Sequence, residues 1–326
     1  MKRRTFLGAS MGVLAGASGL ALCSDQPLHT GAALAFGTTI SIAVLHADER
    51  VARQAVDEAL HAAQRVDRLM SIYNPASQVY QLNRDGRLAQ PDAQLLAVLA
   101  QAQELSRLSD GAFDITVQPL WRAFSEAAAR GTLPTESARR QARALVGWQG
   151  LAFDQEAVRL ARPGMAITLN GLAQGYAADC ALAALQARGI QHALLDTGEF
   201  VARGRKQHQQ PWTLGIRAPR NADALATTLY IEGCGVATSG DYETTFTPDF
   251  VHHHIFDPAL GDSPAELASV SVLAPSAMLA DGLSTAFMVM GRARAAALAA
   301  QLPGVDLMSI DKQGRSWQTR NFPPPA

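Results

Sequence analysis

Apolar residues recur every three or four positions in several stretches of the chain, a spacing that predicts amphipathic helices. The predicted helices cover residues 48–70, 92–108, 136–145, 170–188, 275–291 and 292–302. Short apolar or alternating runs between turn residues predict strands. These runs cover residues 34–46, 158–160, 165–169, 193–195, 212–217, 225–231 and 268–273, and a hairpin is predicted around residues 311–314.

The order of these elements predicts the fold class. It is neither a regular alternation of strand and helix nor an all-β pattern. It therefore predicts an α+β fold in which largely antiparallel sheets carry helices packed on one face. No Pro/Gly/Ser-rich linker divides residues 30–320, so we treat residues 24–326 as a single domain.

The predicted helix over residues 275–291 contains one acidic residue in apolar surroundings. Because nearly all of its faces are apolar, we expect the helix to be buried. Asp281 and Thr285 are four positions apart and share one helix face. A buried carboxylate must be paired, protonated or bound to a cation, and carboxylate and hydroxyl oxygens suit a hard cation such as Mg²⁺. The alternative is that Asp281 pairs with a distant arginine while Thr285 bonds a backbone carbonyl.

The composition narrows the classes of function. The chain has 326 residues, of which 48% are hydrophobic and 17% charged, with a formal net charge of −1. A chain this apolar can form a sizeable core, which argues against disorder. The near-zero charge favours neither a nucleic-acid partner nor an anionic membrane surface.

The first 23 residues have the pattern of an export signal. Lys2, Arg3 and Arg4 precede a short apolar segment that is too glycine-rich for a comfortable membrane span. Paired arginines predict a twin-arginine signal peptide over residues 1–23 and a periplasmic location. An ordinary Sec leader is the alternative. Cys23 could instead carry a lipid anchor, although Leu22 is larger than lipoprotein cleavage sites prefer.

The remaining cysteines are Cys180 and Cys234. An exported protein could pair them, but two free buried thiols are the simpler expectation. No cysteine and histidine spacing predicts a zinc site.

Five further stretches carry more glycine and polar residues than a core requires: residues 36–38, 71–83, 111–120, 168–179 and 238–261. Each has a structural explanation when taken alone, such as a turn or a helix cap. In this order, with the Asp281 helix last, they resemble the ApbE-type FAD:protein FMN transferases. The resemblance extends from about Ala35 to Trp317.

This resemblance implies a T-fold-like architecture and a Mg²⁺-dependent reaction. Members of the family cleave FAD at its pyrophosphate, attach FMN through a phosphoester to a Ser or Thr of a target protein, and release AMP. The resemblance implies that His254 is the general base, and that the Gly171 carbonyl, Asp281 and Thr285 bind the metal. The residues at flavin-nucleotide positions are Phe36, Tyr73, Ala112, Phe113, Asp114, Thr168, Gln174 and Phe256.

The chain departs from the family pattern at several positions of the implied site. Thr168 stands where an Asp is frequent, and Gln174 where a Lys or Glu is usual. Glu199 replaces the second glycine of a Gly-Gly pair, and Ser284 replaces an Asp that often assists the metal. With the twin-arginine leader, this pattern resembles the NosX-like branch, whose implied target is the NosR-like flavoprotein of nitrous oxide reductase maturation in denitrification.

Two other functions remain open on the sequence alone. One is a periplasmic FAD pyrophosphatase, which would use the same metal site without a protein acceptor. The other is a non-catalytic flavin-binding or carrier protein, which would bind FAD and leave it intact.

Overall fold

The structure is a computed structural model that describes residues 26–326, so the predictions for residues 1–23 lie outside its described part. The helices within it are α1 Glu49–Met70, α2 Gln78–Asp85, α3 Ala93–Leu108, α4 Gln118–Ala128, α5 Glu136–Arg143, α6 Ala173–Ala187 and α7 Ala277–Ala299. The strands are β1 Leu28–Ala35, β2 Thr38–Leu45, β3 Arg87–Ala89, β4 Leu151–Phe153, β5 Ala157–Leu160, β6 His192–Asp196, β7 Phe200–Arg203, β8 Trp212–Ala218, β9 Asn221–Ile231, β10 Gly235–Gly240, β11 Leu267–Ala274, β12 Asp306–Asp311 and β13 Ser316–Gln318.

The main sheet has eight strands in the order β1-β2-β6-β7-β10-β11-β12-β13, and every neighbouring pair is antiparallel. Helices α1, α6 and α7 pack against one face of this sheet and form the main core. A two-stranded ribbon of β8 and β9 covers part of the opposite face with Trp212, Leu214 and Ile231. The predicted α+β class with largely antiparallel sheets is confirmed.

Most predicted helices are present with caps that account for their first residues. The Asp48 side chain accepts hydrogen bonds from the first turn of α1, and Asp92 does the same for α3. The predicted division between residues 275–291 and 292–302 is a break inside α7, where Gly291 has φ 73° and ψ 167°. No helix within residues 26–326 is long and apolar enough to span a membrane.

Two predicted strands were wrong. Residues 34–46 form a hairpin and not one strand, because Phe36 and Gly37 adopt positive φ angles of 53° and 75° between β1 and β2. Residues 165–169 form no strand. There, the side-chain amide of Asn83 takes the place of a neighbouring strand: its Oδ1 accepts from Ile167 N at 2.6 Å and its Nδ2 donates to Ile167 O at 2.8 Å.

The helix predicted over residues 170–188 begins three residues late, at Ala173. Leu172 has φ −147°, outside helical geometry, so Asn170 and Gly171 precede the helix as a turn. The sequence pattern also failed to predict six elements that are short or follow directly on turn residues, namely α2, α4, β3, β4, β7 and β10. The late start of α6 matters because it leaves backbone groups of Gly171 outside the helical hydrogen-bond pattern.

Candidate active site

The centre of the candidate site is a buried carboxylate on α7. Asp281 is only 4% exposed, and its Oδ2 accepts a hydrogen bond from Gly175 N at 3.1 Å. Its Oδ1 accepts no hydrogen bond from any residue between 26 and 326. This close approach needs glycine at position 175, because a Cβ there would collide with the Ala277 carbonyl.

A backbone carbonyl near this carboxylate has no hydrogen-bond donor. Gly171 lies in the turn before α6, and within the described residues nothing donates to its carbonyl. Gly175 N–H is one of the amides at the helix start that have no acceptor inside the helix, and it donates to Asp281. The turn before α6 therefore presents an unpaired carbonyl oxygen near an acidic side chain.

Hydroxyl groups complete this arrangement. A Cβ at Gly171 would lie 3.0 Å from Thr285 Oγ1, so the Thr285 hydroxyl lies directly against Gly171. Ser239 Oγ, at the end of β10, lies 3.2 Å from Thr285 Oγ1 and 2.8 Å from Ser284 Oγ. Ser284 Oγ in turn donates to the Asp281 backbone carbonyl at 2.8 Å. The predicted placement of Asp281 and Thr285 on one helix face agrees with these contacts.

The charge of Asp281 is not neutralised by the protein. No ion pair joins it to a basic residue anywhere in residues 26–326, so the predicted alternative of an arginine partner is not observed. Burial raises the pKa of Asp281, and the neighbouring Asp179 adds to the effect, while the Gly175 amide opposes it. By contrast, the fully buried Asp241 is paired with Arg220 at 2.7 Å and Lys312 at 2.5 Å.

The donor set fits a hard divalent cation. Carboxylate, hydroxyl and carbonyl oxygens are the ligands that Mg²⁺ and Ca²⁺ take in proteins. Among residues 26–326, no group of three or more His, Cys, Asp or Glu side chains is arranged to hold a metal, so this part of the chain offers no site of the zinc type. Asp281, Thr285 and the Gly171 carbonyl would hold the ion.

Asp179, which the sequence analysis placed in a motif without a role, supports this site. Its two carboxylate oxygens accept hydrogen bonds from Ala277 N and Met278 N, each at 2.9 Å. These are free amides of the first turn of α7, where a negative charge is favourable. Asp179 therefore fixes α7 against α6 and sets the position of Asp281.

His254 is held by the loop that follows β10. The Thr244 carbonyl accepts from His254 N at 3.0 Å and lies 3.3 Å from His254 Nδ1. If Nδ1 carries the ring proton, Nε2 is left as a free acceptor. Burial lowers the pKa of His254, which favours the neutral ring. The short segment from Ser239 to Thr244 thus connects the oxygen cluster to the imidazole.

The two neighbouring histidines are more tightly engaged. His252 Nδ1 lies 2.7 Å from Asp262 Oδ1, and Asp262 also pairs with Arg139 at 2.6 Å. His253 is fully buried, its Nε2 lies 3.3 Å from the Pro264 carbonyl, and burial lowers its pKa to about 4. His252 and His254 are both partly exposed, and each keeps its Nε2 without a hydrogen bond to the described residues. They differ in that the ring of His252 is engaged by a carboxylate, whereas that of His254 meets only a backbone carbonyl.

The structure places the predicted nucleotide residues in different surroundings. Tyr73 is 66% exposed, and its ring meets Trp121 edge-on at 6.3 Å. Phe36 lies at the tip of the β1-β2 hairpin, packed against the core. Ala112 and Phe113 are buried, and the Phe113 ring lies next to Gly171. Tyr73 is therefore the aromatic residue of this set that is most open to a ligand.

The Asp114 carboxylate accepts three hydrogen bonds from neighbouring loop residues. Its Oδ1 accepts from Thr116 N at 2.7 Å and from Thr116 Oγ1 at 2.6 Å, and its Oδ2 accepts from Trp148 N at 2.9 Å. Burial raises its pKa although these three hydrogen bonds oppose the shift. Through these hydrogen bonds Asp114 holds the loop before α4 in place. A direct contact between Asp114 and the nucleotide stays a prediction.

Thr168, Gln174 and Phe256 also have protein partners. Thr168 Oγ1 accepts from Asn170 N at 3.3 Å, just before α6. Gln174 Nε2 donates to the Thr197 carbonyl at 3.0 Å and lies against Gly198. Phe256 is 4% exposed, and its ring lies 5.1 Å from Phe124 and 6.1 Å from Phe246. Gln174 thus joins the first turn of α6 to the segment between β6 and β7, whereas Phe256 lies in an aromatic cluster.

Ser239 is a site residue that the sequence pattern did not reveal, although it belongs to one of the glycine-rich stretches. Its hydroxyl contacts both Ser284 and Thr285. The signal was a small hydroxyl residue directly before Gly240 at a strand end, but the sequence did not reveal which helix that strand would meet.

The chain matches known proteins over most of its length. The family model for the ApbE family matches residues 36–309. The FAD:protein FMN transferase of Vibrio cholerae is 31% identical over 305 residues, covering 88% of this chain and 90% of the relative. The Salmonella typhimurium transferase is 30% identical over 318 residues, covering 91% and 90%.

Solved structures show the same fold. The ApbE protein of Thermotoga maritima superposes with a TM-score of 0.82 at 28% identity, covering 91% of this chain and 98% of that protein. The apo flavinyl transferase ApbE of Pseudomonas stutzeri gives a TM-score of 0.77 at 30% identity, covering 91% and 96%. A family match over most of the chain, relatives of this coverage and a shared fold together show that the chain belongs to the ApbE family.

Proposed function

We propose that this protein is a Mg²⁺-dependent FAD:protein FMN transferase that modifies a Ser or Thr of an exported target. The observation that carries the proposal is the buried Asp281 carboxylate near the unpaired Gly171 carbonyl. Gly175 N–H donates to one oxygen of Asp281. Within the described residues, the other Asp281 oxygen and the Gly171 carbonyl have no hydrogen-bond partner, and the Thr285 hydroxyl lies against Gly171. Such an arrangement is costly unless a cation takes up the free lone pairs.

The reaction needs an acceptor hydroxyl, a base and charge neutralisation at a pyrophosphate. A bound divalent cation would supply the neutralisation and polarise the phosphoryl oxygens. His254 Nε2 would remove the proton of the target hydroxyl, since Nδ1 is directed at the Thr244 carbonyl. The hydroxyl oxygen then forms a bond to the phosphorus of the FMN half, the bond to the AMP oxygen breaks, and AMP leaves with that electron pair.

Free backbone amides at the start of α6 add to this site. Asn170 and Gly171 precede the first helical residue, and the positive end of a helix dipole favours phosphate. Tyr73 is exposed and braced by Trp121, so its ring is available to stack on a planar ligand. These features support binding of a flavin nucleotide and do not depend on the acceptor.

The protein is expected to bind one FAD per chain, and more tightly than FMN, because the sites implied by Tyr73 and Ala112 to Asp114 contact the whole dinucleotide. Calorimetric titration with FAD and FMN, with and without Mg²⁺, measures this. A protein that binds neither nucleotide under either condition would exclude the transferase and both alternative functions.

Incubation with FAD, Mg²⁺ and a candidate acceptor, followed by intact mass spectrometry of the acceptor, tests the transfer itself. A transferase adds the mass of FMN, less water, to the acceptor and produces AMP. A pyrophosphatase produces FMN and AMP without modifying the acceptor, and a carrier leaves FAD intact.

The proposal also names a target protein and a cellular location. The resemblance to the NosX-like branch supports a NosR-like flavoprotein as the target, in the context of denitrification. The paired Arg3 and Arg4 support export to the periplasm by the twin-arginine route.

Replacing Arg3 and Arg4 by lysine is expected to retain the protein in the cytoplasm, because the twin-arginine receptor reads the guanidinium pair and not the charge alone. A Sec leader would tolerate two lysines, since the segment stays positive. Cell fractionation compares the double variant with the unmodified chain. Normal export of the variant would contradict the twin-arginine assignment and leave the Sec route.

A further inference from the structure

Glu199 lies at the point where two strands of the main sheet separate. Strands β7 and β10 pair only at Val201 with Gly235 and at Phe200 with Val236. Beyond this pairing, the Thr238 N–H donates to the Glu199 side chain, with a distance of 3.2 Å to Oε2. The Glu199 carboxylate therefore reaches across to β10 and lies one residue from Ser239.

Ser239, the residue after Thr238 on β10, contacts the proposed metal site. Its hydroxyl lies 3.2 Å from Thr285 Oγ1. Gly198, the residue before Glu199, packs against Gln174 in the first turn of α6, three residues after Gly171. Glu199 is thus held between β10 and the N-terminal turn of α6, which are two of the elements that surround Asp281.

The charged groups around Glu199 are acidic. Burial is the main cause that raises the pKa of Glu199 well above its usual range, and the negative charge of Asp281 is the second. Asp196 and Glu243 raise this pKa further, whereas the hydrogen bond from the Thr238 amide lowers it. Within residues 26–326, Glu199 forms no ion pair with a basic side chain, and its Oε1 accepts no hydrogen bond. The protein neutralises Asp241 with two cations, yet within the described residues it provides no basic partner for Glu199 or Asp281.

We propose that the Glu199 carboxylate is a second acidic group of the divalent-metal site, acting with Asp281, Thr285 and the Gly171 carbonyl. This inference rests on the proposed function, because it concerns the same ion. A cation between two carboxylates removes the cost of burying both of them. Glu199 reaches the ion directly or through a bound water, since Mg²⁺ usually keeps part of its water shell.

Ser284 explains why a second carboxylate would come from β7. Its hydroxyl is already used, because it donates to the Asp281 carbonyl and is hydrogen-bonded to Ser239. It contributes no charge on α7 beside Asp281. Glu199 and Ser284 are also two of the departures from the family pattern, so one position loses an acidic side chain where the other gains one.

The test measures metal binding in the absence of FAD, with Mn²⁺ alone as the probe and its free concentration read by electron paramagnetic resonance. Glu199→Gln keeps an oxygen to accept from Thr238 and removes only the charge. Its Mn²⁺ affinity is expected to fall by about 10–100-fold. Glu232→Gln is the matched control, because Glu232 is exposed and pairs with Arg205 at 3.0 Å. The control is expected to bind Mn²⁺ like the unmodified chain.

An exchange variant, Glu199→Gly with Ser284→Asp, moves the acidic group from β7 to α7. It is expected to recover most of the affinity that Glu199→Gln loses. Circular dichroism and thermal melting without metal establish that each variant is folded. Should the exchange variant fail to fold, the comparison of Glu199→Gln with Glu232→Gln still decides the proposal.

Asp281→Asn separates this inference from the proposed function. Loss of Mn²⁺ binding in Asp281→Asn but not in Glu199→Gln would overturn the role of Glu199 and leave the metal site in place. Equal Mn²⁺ binding by Asp281→Asn and the unmodified chain would overturn the site itself, and with it both proposals. Loss in both variants supports Glu199 as a ligand, whether or not FMN transfer is then found.

Discussion

Asp281→Asn is expected to abolish FMN transfer and to remove the stabilisation of the fold by Mg²⁺. The amide keeps an oxygen to accept from Gly175 N–H but loses the charge that would hold the cation. Mg²⁺ at about 100 times its Kd should stabilise the unmodified protein by about 2.7 kcal/mol. Thermal melting with and without Mg²⁺, together with the transfer assay, measures both losses.

Without metal, the same variant is expected to be as stable as the unmodified chain, or more stable at high pH. Burial raises the pKa of Asp281, so the folded state binds the proton more tightly than the unfolded state does. The cost of the buried charge is absent at low pH, appears as the pH rises above the unfolded pKa, and is complete above the folded pKa. Asparagine carries no such cost, so its advantage should grow with pH.

Asp241→Asn serves as the contrasting control. Asp241 is equally buried but paired with Arg220 and Lys312, so its charge stabilises the fold. Removing it leaves two cations without their partner and should cost about 3 kcal/mol with or without Mg²⁺. A large loss of metal-free stability in Asp281→Asn, or an unchanged response to Mg²⁺, would mean that Asp281 has a structural role like that of Asp241.

The sequence predicted the local features of this site better than the contacts between its elements. The placement of Asp281 and Thr285 on one helix face followed from helical periodicity alone, and the helix is where the pattern indicated. The apolar surroundings of Asp281 also predicted that its carboxylate would be buried. Both features are local, because they depend on residues within one element.

What the sequence could not predict depends on contacts between distant elements. The hydrogen bond from Gly175 N–H to Asp281 joins α6 to α7 across more than one hundred residues of sequence. The strand predicted over residues 165–169 is absent because the side chain of Asn83 takes the place of a strand partner. Phe256 lies in an aromatic cluster with Phe124 and Phe246 that no local pattern indicated.

His254→Ala is expected to slow FMN transfer by about 10²–10⁴-fold, the usual cost of removing a positioned general base. Binding of Mg²⁺ and FAD should persist, because His254 hydrogen-bonds only Thr244 among the described residues and is not part of the oxygen cluster. Single-turnover transfer measured by mass spectrometry of the acceptor, with calorimetric FAD titrations in parallel, separates the rate from the binding.

The pH dependence of transfer identifies which histidine is the base. Burial lowers the pKa of His254, so its Nε2 should be unprotonated and active down to a pH below the ordinary histidine value. The unmodified enzyme should therefore lose activity only on the acid side of that value, and His254→Ala should lack this titration. His252→Ala is the matched control, because His252 is engaged with Asp262 and should be dispensable for proton transfer. If His254→Ala transfers FMN at the unmodified rate while His252→Ala does not, the base is His252, and the pair it forms with Asp262 positions it for that role.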